Sequence, residues 1–207
     1  VETGENMANL EFRYGAMNSG KSTELIQVAY NYREQGRDVF VVKPVVDSKG
    51  GNTIKSRALP DPLSVDLLVQ EQEMALREKI MNAITERAVP NVECVLADEA
   101  QFFTPTQIDD LLEIAKLDNL PVLAYGLRTD FQRNGFPGSI RLLELADKFQ
   151  ERTTICRCMK KARHNGRKIN GKFIFQGDQI VIDGDEVEYE SLCGTCYLEE
   201  QAKSLAT

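Results

Sequence analysis

Three groups of residues in this chain have types and spacings suited to chemistry. The first is Gly15-Ala16-Met17-Asn18-Ser19-Gly20-Lys21-Ser22, which fits G-x-x-x-x-G-K-[ST]. In such a loop the backbone N–H groups cradle phosphates, the lysine sets a positive charge between them, and the last hydroxyl reaches Mg²⁺. The motif points to a nucleoside triphosphate and says nothing of what receives the phosphoryl group. The second group is Asp98-Glu99-Ala100-Gln101, at the end of the apolar run Val95-Leu96-Ala97, and all four are expected to bind ATP. A strand ending in carboxylates is expected beside the P-loop strand, with Asp98 in the Mg²⁺ shell. Successive strand side chains point to opposite sides, so Glu99 faces the acceptor as a general base.

The third group is Cys156, Cys158, Cys193 and Cys196, with 34 residues between the two pairs. Four thiolates close a tetrahedral Zn²⁺ site and leave no position for chemistry, so its role is structural. Cys94 lies in an apolar run and reads as a buried, inert thiol. His164 is the sole histidine and sits among Lys160, Lys161, Arg163 and Arg167, a stretch that reads as a flexible, solvated loop. A single histidine excludes a Ser-His-Asp hydrolase and a His-rich metal enzyme.

These groups need elements to position them. Leu10–Tyr14, Val39–Val42, Val92–Ala97 and Val122–Tyr125 read as buried strands. Helices are expected over Thr23–Gln35, ended by Gly36, and over Gln70–Arg87 and Ile140–Phe149. Another follows Thr104, where Pro105 suits the first helical position, Gln107 completes a capping box, and Phe103 and Ile108 form a hydrophobic staple. Residues 44–63 read as loop. Strands separated by helices imply parallel pairing, hence an α/β fold: a P-loop parallel sheet flanked by helices, with ligands at the carboxyl ends of the strands. From Thr153 helix periodicity fades, and short β-like runs, Lys172–Gln176 and Gln179–Ile182, alternate with glycine turns. The expected division is a tail at 1–8 (Met7 being a candidate start), a nucleotide-binding α/β domain at 9–152, a small β-rich zinc-binding domain at 153–200, and a tail at 201–207.

The chain has 207 residues and a net charge of −7, which disfavours a broad nucleic-acid-binding surface. No apolar run is long enough to span a membrane, and the N-terminus lacks the basic start and apolar core of a secretory signal. A cytoplasmic location is expected. Phe102 and Phe103 follow the acids, and Phe131 and Phe136 follow the next strand, which suits a planar base held near the phosphates.

Several collinear segments resemble the type II thymidine kinases, the family of the cytosolic human enzyme and many bacterial ones. They are the P-loop with Thr23, Asp98-Glu99-Ala100-Gln101-Phe102, Tyr125-Gly126-Leu127-Arg128-Thr129-Asp130-Phe131, the paired cysteines, and Ile182-Asp183-Gly184 ahead of Tyr189-Glu190-Ser191-Leu192-Cys193. The Tyr125–Phe131 segment looks like the bacterial branch. The resemblance implies transfer of the γ-phosphoryl of ATP to the 5′-hydroxyl of thymidine, and of deoxyuridine, with Mg²⁺ and with Glu99 as base. It implies a thymine pocket of Met17, Phe102, Leu127, Phe131 and Phe136, and main-chain contacts to the base from Ile180, Val181, Ile182, Asp183 and Gly184, supported by Tyr189. Arg57, and secondarily Arg133, would lie near the phosphates. A homotetramer and feedback inhibition by dTTP are implied as well. The chain departs from the family at Asp47-Ser48-Lys49-Gly50, at Gly135-Phe136-Pro137-Gly138 and at Asp183.

The residues alone leave a second reading, a P-loop ATPase or switch protein whose cysteine module binds a macromolecule. No Asn-Lys-x-Asp guanine-reading motif is present. A third reading, a nucleotide-binding structural subunit, sits poorly with an intact P-loop and both carboxylates.

Overall fold

The computed structural model describes residues 7–46, 51–87, 91–179 and 187–205. Six strands form one central sheet. They are β1 (Leu10–Gly15), β2 (Asp38–Pro44), β5 (Leu67–Val69), β6 (Val92–Ala97), β7 (Val122–Gly126) and β8 (Lys148–Arg152). Their order is β5-β2-β6-β7-β1-β8, and every pairing is parallel.

Both faces of this sheet are covered, which explains its continuous apolar strands. Along β2, Val39 and Val41 turn one way and Phe40 and Val42 the other, and all four are buried. The first pair packs with Leu25 and Ala29 of α1 (Lys21–Glu34), and with Ile54 and Leu63 from a two-stranded hairpin of β3 (Thr53–Ile54) and β4 (Leu63–Ser64). The second pair packs with Leu76 and Ile80 of α2 (Leu76–Glu86), Ile108 and Leu111 of α3 (Pro105–Leu117), and Leu142 of α4 (Pro137–Leu145). Burial of such a side chain contributes about 1.5–3 kcal/mol.

The helix ends follow local chemistry. Gly36, at φ 72°, ends α1: its N–H donates to Arg33 O at 3.0 Å, and that of Arg37 donates to Tyr32 O. The Thr104 hydroxyl accepts from Gln107 N while the Gln107 side chain accepts from Thr104 N, which is the expected capping box.

Several expectations change. The strand bearing the acids is not beside the P-loop strand, because β7 lies between β6 and β1. The helix expected over Gln70–Arg87 starts only at Leu76. The Gln107 amide lies within hydrogen-bond reach of the carbonyls of Gln70, Glu71 and Glu73, and the Leu76 N–H donates to Asp110 Oδ2 where the helix starts. The loop expected at 44–63 contains part of the β3–β4 hairpin. The helix expected over Ile140–Phe149 runs from Pro137 to Leu145, and the chain then joins the sheet edge as β8, leaving Leu143 42% exposed.

After β8 the chain builds a small β-rich part. It comprises a hairpin of β9 (Thr154–Ile155) and β10 (Lys161–Ala162), and an antiparallel sheet in the order β12-β11-β13. The latter strands are β11 (His164–Ile169), β12 (Lys172–Ile174) and β13 (Val187–Leu192). A helix not expected from the sequence, α5 (Gly194–Leu205), packs on this sheet and takes in residues 201–205 of the segment read as a tail. The local core is small: Ala162, Leu192, Tyr197 and three cysteines are buried, with Phe173 and Phe175 against them. His164 is a half-buried strand residue, not a solvated one. Its ring lies 5.4 Å from Tyr197, and burial, with Arg128, Arg133 and Arg163 nearby, holds its pKa below the usual histidine range.

Candidate active site

The P-loop leaves β1 at Gly15, where a Cβ would meet Arg152 O at 2.3 Å and Ser19 Oγ at 2.5 Å. Gly20, at φ 78°, turns the chain into α1 and supplies no side-chain cap. The first N–H groups of that helix are thereby left to a ligand. Lys21 Nζ donates to Ala16 O at 2.9 Å, and stands 3.4 Å from both Gly15 O and Ser19 Oγ. Burial lowers the pKa of this ammonium, while the charges of Glu99 and Asp98 act to raise it.

An open cleft of about 420 Å³ is lined by Met17, Asn18, Ser19, Gly20, Lys21 and Ser22, by Lys55, Ser56 and Arg57, and by Glu99 and Leu127. The 55–57 segment is tied to α1 where Ser56 Oγ lies 2.6 Å from Thr23 Oγ1. Two strand spacings, about 9.5 Å, lie between the acids and the loop.

Glu99 reaches the cleft by a mechanism other than strand alternation. β6 ends at Ala97, the Asp98 N–H still bonds to Val42 O, and Glu99 adopts φ 48° ahead of the short 3₁₀ turn Ala100–Phe102. That left-handed residue breaks the strand's direction. Gln101 then holds the carboxylate: its Nε2 donates to Glu99 Oε2, and its Oε1 accepts from Leu127 N at 2.9 Å. Gln101 and Ala100 are buried, as is Asp98 at 5% exposure, and none of the three lines the cleft.

The aromatic residues gather nearby. Phe102 and Phe136 meet edge to face, with centroids 5.6 Å apart. Phe131 is buried, and the Arg167 guanidinium lies over its ring at 3.6 Å. Arg167 is itself buried and donates to Tyr189 Oη at 3.0 Å, Asp178 O at 2.7 Å and Gln179 O at 2.8 Å. It thus joins Tyr189 on β13 to the chain at 178–179. Arg133, expected near the phosphates, instead stands 5.0 Å over the Tyr197 ring. The segment Ile180–Gly184 and the Asp47–Gly50 departure lie outside the described residues.

The four paired cysteines come together, with all sulfur atoms within 4.8 Å of one another. A turn with Met159 at φ 65° presents Cys156 and Cys158, and Cys193 and Cys196 flank the start of α5. The Cys196 N–H lies 3.5 Å from Cys193 Sγ, and this donor, with its neighbours, pulls the Cys193 thiol down to about 6. Cys196 is pushed up to about 12, first by its contact with Cys158. Four sulfur donors this close fit a tetrahedral Zn²⁺ site. Cys94 is fully buried, and burial raises its thiol to about 12.

The family profile described as thymidine kinase matches residues 8–197. This chain belongs to the thymidine kinase family. It is similar to the thymidine kinase of Coxiella burnetii, 44% identical over 188 residues that cover 90% of this chain and 93% of that one. The thymidine kinase of Photorhabdus laumondii is 42% identical over 195 residues, covering 93% and 94%. That of Streptococcus pyogenes is 40% identical over 201 residues, covering 94% and 100%. Family membership thus spans both the P-loop sheet and the cysteine-bearing part. Among residues expected to touch the nucleoside, Met17 and Leu127 line the cleft, and Phe102 pairs with Phe136. Arg167 was not singled out from the sequence, where it is one cation in a basic run. In the structure it pairs in register with Tyr189 across β11 and β13.

Proposed function

We propose that this chain transfers the γ-phosphoryl group of ATP to the 5′-hydroxyl of thymidine, and of deoxyuridine, giving ADP and the nucleoside monophosphate. The observation that carries this reading is one cleft holding the P-loop, Lys21 and Glu99 together. ATP phosphates lie on the loop and the start of α1, with Gly15 to Ser22 around them, Lys21 balancing charge and Arg57 closing over them. Mg²⁺ would be held by Ser22 and Asp98 and would supply neutralisation of phosphate charge. Glu99 takes the proton of the 5′-hydroxyl as its oxygen bonds to the γ-phosphorus and the bond to ADP breaks. Gln101 keeps the carboxylate aimed.

The nucleoside base lies against Met17, Leu127 and the Phe102–Phe136 pair, with Phe131 behind. Residues 180–184 contribute main-chain contacts that read the pyrimidine edge, with Tyr189 in support. Zn²⁺ held by Cys156, Cys158, Cys193 and Cys196 ties the ends of residues 153–200 into one unit, which has little core of its own. Residues 9–152 form the nucleotide-binding unit. Inhibition by dTTP at the acceptor site and a homotetramer belong to the same reading. No described helix is long and apolar enough to cross a membrane. The ATPase or switch reading is not favoured by the family.

Glu99→Gln tests the base. Phosphotransfer should fall by about 10²–10⁴-fold while ATP still binds. Near-normal turnover in that variant would remove the assignment.

A further inference from the structure

The P-loop is held from outside by the small β-rich part. Met17 N–H donates to Asn165 Oδ1 at 2.8 Å, and Met17 O accepts from Ser191 Oγ at 2.5 Å. Asn165 and Ser191 are buried at 3% and 8% exposure. They are direct cross-strand partners on β11 and β13, so both side chains leave one face of that sheet toward the same residue. The remaining amide of Asn165 donates to Thr129 O at 3.2 Å, which anchors the same side chain to the segment after β7. Neither residue lines the ATP cleft.

From this arrangement we infer that Asn165 and Ser191 are positioning residues for ATP. They clamp both polar backbone groups of Met17 and fix the P-loop in its phosphate-ready shape before nucleotide arrives. A free glycine-containing loop must be ordered on binding, and that ordering subtracts from affinity. Here Met17 can turn neither its N–H nor its carbonyl inward without leaving a buried partner unpaired. The flanking residue Asn18 already holds φ 60°. Ser191 is two residues before Cys193, so the strand that carries a P-loop contact leads directly into one of the clustered cysteines. The inference rests on the ATP-site reading above and deepens it, because it makes nucleotide affinity depend on residues outside the cleft.

The test is Mg-ATP binding without nucleoside, by titration calorimetry on the intact chain, for Asn165→Ala, Ser191→Ala and the double variant. Each single change should weaken ATP by about three- to tenfold. The double should lose no more than about twofold beyond the worse single, because both contacts hold one residue. Ser191→Thr keeps the hydroxyl donor and should bind ATP better than Ser191→Ala. In the nucleotide-free wild type, the Met17 amide should be protected from hydrogen exchange; this readout needs no variant to fold. Folded alanine variants that bind ATP within about twofold of wild type, or a Met17 amide exchanging at its intrinsic rate, would overturn the clamp. A wild type that fails to bind ATP at all would instead overturn the nucleotide-site reading beneath it.

Discussion

At the scale of single residues, Gln101 shows how the site is built. Its amide NH₂ donates to Glu99, its amide oxygen accepts from Leu127 N, and the side chain is buried between them. It does not line the cleft, yet it sets where the carboxylate points. Gln101→Leu should lower kcat about ten- to a hundredfold through misplacement of the base, with ATP affinity unchanged in a direct titration. A fall in ATP affinity of the same size would place Gln101 in the nucleotide site instead. Lys21, Ser22 and Glu99 were legible in the sequence because their signals are local: a loop pattern, and a strand that ends in acids. Arg167, Asn165 and Ser191 were not. Asn165 and Ser191 find their partner Met17 148 and 174 residues away, and no spacing rule reaches across such a distance. The side chain that looks most soluble, Arg167, is buried because Phe131 offers it a ring face and two carbonyls and a hydroxyl accept its hydrogens.

At the scale of elements, the capping box at Thr104–Gln107 was readable because its partners are three residues apart. The second task of Gln107, donating to carbonyls of the 70–73 segment, was not, because its partners lie 34 to 37 residues away. Gln107→Ala should cost about 2–3 kcal/mol of stability in urea unfolding, since it opens the cap and strands those carbonyls. Activity of the folded variant should persist, because α2 and α3 pack on the sheet and take no part in the cleft. A loss under about 0.5 kcal/mol would mean that water replaces these bonds at no cost. Strand β8 escaped notice for a different reason. Lys148, Phe149 and Gln150 at a sheet edge lack the apolar alternation that marks a buried strand, and Phe149 is 49% exposed. The order β6-β7-β1 was likewise outside what the sequence shows, since connection lengths do not fix which parallel strands become neighbours.

At the scale of the whole molecule, two parts share one site. The parallel sheet supplies the phosphate loop and the base, and the small β-rich part presses Asn165, Ser191 and Arg167 against the loops of the first. Its core includes three of the four clustered cysteines, so a bound ion should supply much of its order. Purified protein should carry about one zinc per chain by elemental analysis, and chelation should loosen residues 153–200 in hydrogen exchange. Metal-free protein with unchanged protection there would refute a structural ion. The central claim is the transfer of ATP's terminal phosphoryl to a nucleoside hydroxyl, and the most direct measurement of it is ADP release with labelled ATP across a panel of nucleosides. Release should depend on thymidine or deoxyuridine and yield the labelled 5′-monophosphate, with little turnover when nucleoside is omitted. Equal ATP turnover with and without any nucleoside, and no labelled monophosphate, would contradict it.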